Sequence, residues 1–276
     1  MPTRSEEDTQ VRTSSNPAFR NLPAGQGGGY ASFDRQAGMM GGVSAYADRA
    51  GVGYGRAEAD SRPITVDDVV TKTAITAGAA IVAGALTAWS GLYALALPGF
   101  IVGLVVSLII IFKQSSNPAL VLTYSIAEGV ALGAIGGVFN LRFPGIAFQA
   151  LVGTVGVLIG MLVVYKTGAV KVTPRFTKWM MGALVGAVVL SLVRFVAGIF
   201  FPGSPLNQGG MLGILISLAL IGVAAFSLLL DFDMADQAVR SHAPAKFAWY
   251  IAFGLMTTLV WLYIEILRLL SYLRQE

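Results

Sequence analysis

The chain has 276 residues, 55% of them hydrophobic and only 12% charged, with a mean hydropathy of +0.70, which places it outside the soluble range and among integral membrane proteins. It has no cysteine and a single histidine, His242, so disulfides, thiolate metal sites and multi-histidine centres are excluded. The formal net charge of +4 does not point to nucleic acid, because the basic residues sit mostly in loops that flank apolar runs.

Residues 1–63 hold no sustained apolar run, and "PAGQGGGYASF" and "GVGYGRAEADSRP" read as a solvated, flexible tail. No apolar stretch follows Arg4 and Arg12, so a signal peptide is not expected there. Arg4, Arg12, Arg20, Arg35, Arg49, Arg56 and Arg62 favour the cytoplasmic side for this tail; it reads first as a plain linker, with Tyr30, Phe33, Tyr46 and Tyr54 as the alternative, recognition spots for a protein partner. A helix begins in "ITVDDVVTKT", where Thr65 can cap and Asp67 and Asp68 lie in the first turn, favoured by the helix dipole.

At about 20 apolar residues per crossing, membrane spans fall near 73–91, 93–112, 118–139, 146–165, 178–201, 211–232 and 250–273. Turn residues in "KQSSNP", "NLRFPG", "KTGAVKVTPRFTK", "FPGSPLNQGG" and "RSHAPAK" separate them. The expected architecture is an all-α polytopic membrane domain over 64–276, a seven-helix bundle preceded by the tail. Lys113, then Lys166, Lys171, Arg175 and Lys178, then Arg240 and Lys246 fall in alternate loops, on the side of the tail. That side is expected to be cytoplasmic in a cell-membrane protein. Seven crossings put Arg274 on the other side, against the charge rule, so the last segment either crosses or dips in and returns.

Charges inside spans cost a few kcal/mol at the bilayer centre on insertion scales, and each is a functional candidate. Glu128, in "TYSIAEGVALGAIGG", lies about 15 Å into the third span. Glu265, in "WLYIEILRLLSYL", is well inside the last, with Arg268 three residues on and able to neutralise it. Arg194, in "SLVRFVAGIFF", lies toward the outer end of the fifth span, where its side chain is expected to snorkel. Asp231 and Asp233, in "LLLDFDMAD", end the sixth; two residues apart on a helix they point about 200° from one another, so only one can face a given partner. Asp236 is expected in solvent.

"SIAEGVALGAIGGVF", "FSLLLDFDMADQ" and "LVWLYIEILRLLSYL" together resemble the Bax inhibitor-1 family, also called the transmembrane Bax inhibitor motif family, over roughly residues 68–274. The long Gly-rich tail and the "WYIAFGLMTTLVWLYIEILRLL" ending look like an actinobacterial-type bacterial branch. The resemblance implies a seven-helix bundle with the last helix at its centre. It also implies a pH-sensitive calcium leak channel, in which an acid on the sixth helix and one on the seventh share a proton as a gating dyad. By motif, Glu265 takes the place of the seventh-helix acid, Asp231 or Asp233 that of the sixth, and Glu128 that of an acid on the ion path. Arg142 is the nearest candidate for a basic latch, with Arg268 a counter-charge. The chain departs from the usual pair of aspartates in having Glu265. If the last helix runs straight from Pro244, Glu265 lies about 30 Å along it, too deep to meet Asp231.

Two carboxylates in one poorly solvated site titrate as a unit, which provides a pH sensor without histidine. When ionised they attract a hard cation such as Ca²⁺, which takes oxygen ligands, and transient calcium at Asp231, Asp233, Glu265 and Glu128 is expected rather than a tight metal site. The partners expected are therefore calcium, protons and the lipid bilayer. A proton-coupled transporter would use the same acids, and a non-conducting membrane regulator or scaffold would use the tail. No enzyme or cofactor is expected: "LDFD" lacks the GxGD context of an intramembrane aspartyl protease, and no P-loop, HExxH or GxSxG is present.

Overall fold

The structure, a computed structural model, describes residues 62–200 and 210–275. The tail, except Arg62 and Pro63, and the turn "FPGSPLNQGG", except Gly210, lie outside the described residues. Among the described residues seven helices are long and apolar enough to cross a membrane. They are α1 (Val66–Ser90), α2 (Ala96–Lys113), α3 (Pro118–Arg142), α4 (Ile146–Thr167), α5 (Pro174–Phe200), α6 (Met211–Arg240) and α7 (Phe247–Leu273).

Local chemistry sets their ends. The Asp68 amide donates to the Thr65 hydroxyl at 3.2 Å and the Thr65 amide donates to the Asp68 carboxylate at 3.0 Å, a reciprocal cap that starts α1. Gly91, at φ 69°, stops it in the left-handed conformation open to glycine, and a single 3₁₀ turn, Tyr93–Leu95, leads into α2. Asn117 accepts from the Ala119 amide at 2.9 Å, with Pro118 at the first helical position of α3.

The sixth helix is longer than its apolar stretch. It runs to Arg240 rather than stopping near 232, and its 30 residues measure about 45 Å against a hydrocarbon core of about 30 Å. Hydropathy falls where the aspartates begin, but the backbone has no reason to stop there. Gln237 donates to Asp233 at 2.6 Å and Arg240 pairs with Asp236 at 2.7 Å, both four residues apart, and these carry the helix out of the apolar layer.

The last helix is the core. α7 packs against α1, α3, α4 and α6, and buries Ala248, Ile251, Leu255, Leu262 and Leu267 among them. α2 leans on α3 and α5 leans on α6, so these two form an outer layer. Arg274, just past α7, donates to the Pro144 carbonyl at 3.0 Å and to the Gln149 side chain at 2.8 Å, in the α3–α4 turn and the start of α4. The helix therefore crosses the whole bundle, and the dip-and-return alternative falls.

At the other end the chain is stapled where the tail meets the bundle. The Ile64 amide donates to the Ala243 carbonyl and the Ala245 amide to the Arg62 carbonyl, each at 2.8 Å, while Lys72 donates to the Ala245 carbonyl at 2.6 Å. The start of α1 is thereby tied to the α6–α7 turn.

α1 and α3 approach so closely that side chains are excluded between them. A Cβ on Gly84 would lie 2.9 Å from the Gly129 carbonyl, and backbone cannot yield as a side chain can. Gly78, two turns earlier on α1, has open space. Gly84→Ala is therefore expected to destabilise by about 1–3 kcal/mol, whereas Gly78→Ala should be neutral or gain up to about 1 kcal/mol in helix propensity. Thermal unfolding of the purified variants in detergent checks the contrast; equal Tm values would contradict the close approach.

Candidate ion path

Asp231 reaches across from α6 to α7, where the Thr258 hydroxyl donates to its carboxylate at 2.7 Å. Among the described residues no cation pairs with it. Asp233 turns the other way, into a surface cleft of about 440 Å³ at the end of the bundle that carries the basic loops, together with Asp236, Arg240, Lys166 and Lys171. Only Asp231 of the two meets α7.

Glu128 is 5% exposed, in the middle of α3. It fits because α2 presents a glycine: a Cβ on Gly103 would meet the Glu128 carboxylate at 2.5 Å. Its Oε2 is buried and accepts no hydrogen bond among the described residues. Nearby, Tyr124 on α3 meets Phe253 on α7 edge to face, with centroids 4.9 Å apart. α3 and α7 are both odd crossings and run parallel, so one turn beyond that contact Glu128 is level with Thr257. Thr258, the partner of Asp231, is the next residue. Glu128 and Asp231 thus lie at one depth, Glu128 turned toward Gly103 of α2 and Asp231 toward Thr258 of α7.

Glu265 has other partners. It is 2% exposed and forms two ion pairs, with Arg268 at 2.9 Å and with Arg194 at 3.7 Å, the second too long for a hydrogen bond. Arg194, itself 2% exposed, also donates to the Tyr272 hydroxyl at 3.0 Å. The expected snorkelling is thus replaced by an inward orientation, since an ion pair and a hydrogen bond are available inside. Seven residues, about 10 Å of helix, separate Glu265 from Thr258. The structure therefore brings Glu265 to two arginines and Asp231 to a threonine, and does not join the two acids.

Arg142 ends α3 on the opposite side of the bundle, 5.7 Å from the Phe143 ring and about 21 Å along the helix from Glu128. Among the described residues no three His, Cys, Asp or Glu side chains gather into a metal site. The sequence reading passed over Thr258, Arg194's inward partner and Gly103. Two adjacent threonines inside "GLMTTLVWL" were the available sign of the first, and an arginine and a glutamate both at membrane depth were the sign of the second.

The Arg194–Glu265 pair yields a thermodynamic expectation. Removing one partner of a buried pair typically costs about 3–5 kcal/mol, because the other charge is left uncompensated. Because Glu265 keeps Arg268 at 2.9 Å, Arg194→Met should cost less than that, about 1–3 kcal/mol, and Arg194→Met with Glu265→Gln should be less destabilised than the sum of the single changes. Unfolding of the four proteins in detergent measures the coupling, and strict additivity would contradict it.

The family model described as Bax inhibitor 1 like matches residues 4–275. No curated protein matches the chain. With the match covering nearly its whole length and seven membrane-length helices beneath it, the chain belongs to the Bax inhibitor 1 like family and is a multi-pass membrane protein.

Proposed function

We propose that the protein is a pH-sensitive cation leak of the calcium type, with Glu128 and Asp231 as the acids of its path. The observation that carries this reading is Glu128: a carboxyl group buried at mid-membrane depth, against Gly103, with an oxygen that accepts no hydrogen bond among the described residues. Such a group is costly to keep in a membrane, and ionisable residues retained there commonly mark ion or proton pathways. A hard cation prefers carboxylate and hydroxyl oxygens, and Glu128 on one side of the bundle and Asp231 with Thr258 on another supply them at one depth.

In this reading Asp231 is the pH-responsive group. Its carboxylate accepts from Thr258 alone among the described residues, so protonation changes the α6–α7 contact directly. Glu265 serves as the ion-paired tie of α7 rather than as half of a shared-proton dyad. Asp233, bonded to Gln237 in a cleft that also holds Lys166, Lys171 and Arg240, stands outside the path in this reading.

Calcium flux into liposomes carrying the purified protein, measured from about pH 6 to 8 where a perturbed carboxylate can titrate, tests the reading. Flux should vary with pH in the unaltered protein. Asp231→Asn should flatten that dependence, Glu128→Gln should lower flux severalfold at every pH, and Glu265→Gln should leave the pH profile in place. If Glu265→Gln abolishes the pH dependence and Asp231→Asn does not, the assignment of roles is wrong. Saturable uptake of one solute, driven by a proton gradient, would replace the leak by a coupled transporter.

A further inference from the structure

We infer that the cleft between α1 and α4 is a seat for one acyl chain of a bilayer phospholipid, drawn from the leaflet opposite the N-terminal tail. The inference is independent of which ion, if any, the protein passes. α1 and α4 both pack on α7 but leave a cleft of about 360 Å³ between them, within the size range of about 300–1,000 Å³ usual for ligand sites. Small residues of α1, among them Ala77, Ala85 and Ala88, form one wall, and Leu151 and Val155 of α4 form the other. The floor is the central helix itself, through Met256, Leu259, Val260 and Tyr263.

Length and depth identify the occupant. From Ala77 to Ala88 the cleft follows α1 for about 16 Å, half of the roughly 30 Å hydrocarbon core and so the reach of a single leaflet's chains. Trp89 follows immediately and is 87% exposed, at the end of the helix where an indole marks the boundary between hydrocarbon and headgroups. On α3 and α4 the lining likewise lies toward the ends that meet in the α3–α4 turn, including Gly136 and Ala147. The cleft thus begins at one interface and closes near mid-membrane, and its lining is almost wholly apolar. Lipid tails are the medium beside it, and no polar ligand would be desolvated without loss on such walls.

The cleft stays open because its walls lack side chains. Gly84, Gly129 and Gly133 bring α1 and α3 into backbone contact at its base, which leaves no bulky group to fill the space above. A chain seated there touches Met256 and Leu259, the residues flanking Thr257 and Thr258 on α7.

The test is photolabelling in bilayers of phosphatidylcholine bearing a diazirine in mid-chain, with adducts located by mass spectrometry. Met256 and Leu259 are buried from lipid that merely surrounds the bundle, whereas Val189 on α5 faces outward. Adducts on Met256, Leu259 and Tyr263 are expected, and Ala85→Phe should reduce them severalfold while labelling of Val189 is unchanged. Leu151→Phe fills the cleft from the opposite wall and should act alike if Ala85→Phe folds poorly. Adducts confined to outward residues such as Val189 would overturn the proposal in favour of surrounding lipid alone. The chain has no cysteine, so Ala85→Cys gives a clean second readout. Its efficient disulfide dimerisation in bilayers, without adducts on Met256, would show that a second copy fills the cleft instead.

Discussion

In hydrocarbon no water is available to solvate a charge, so each ionisable side chain at membrane depth must find compensation within the protein. The arrangement of the bundle follows from that constraint. α7 carries the groups that answer the charges of its neighbours: Thr258 for Asp231 on α6, and Glu265 for Arg194 on α5. α5 packs on α6 and stands in the outer layer, yet its arginine reaches the central helix. Apolar contact holds α7 among four helices, and these polar links fix its rotation and height.

Glu128 is the exception that gives the rule a functional meaning. Its neighbours make room for it, through Gly103, without offering its second oxygen a hydrogen bond among the described residues. Glu265, two turns further along α7 than the threonine pair, also has an oxygen without a hydrogen bond among the described residues, but two arginines compensate its charge. The three acids at membrane depth thus divide into one held by a hydroxyl, one paired with cations and one enclosed beside a glycine. Groups so differently held are not interchangeable in chemistry, although each is a single carboxylate in an apolar run.

Much of the architecture was legible because the relevant physics is local. Thr65 with Asp68, Asn117 with Pro118, and Gly91 each mark a helix end by a hydrogen bond or a backbone conformation that nearby residues determine. The extension of α6 to Arg240 was not legible from hydropathy, which reports solvent preference and not helix continuity. The side-chain partners were harder still. Whether Arg194 turns toward headgroups or toward Glu265 depends on the rotation of α5 against α7, and no local pattern encodes it. The same holds for Asp231, whose partner is a threonine that carries no charge to betray it.

The central place of the last helix also has a consequence for assembly. Helices enter the membrane in chain order, so α1 to α6 are made before the element on which they converge. Until α7 arrives, Arg194 lacks Glu265 and Tyr272, and Asp231 lacks Thr258. The first six helices are therefore made before these polar links can form. Biogenesis accordingly becomes a closing event, in which insertion of the final segment converts a provisional set of helices into a sealed one.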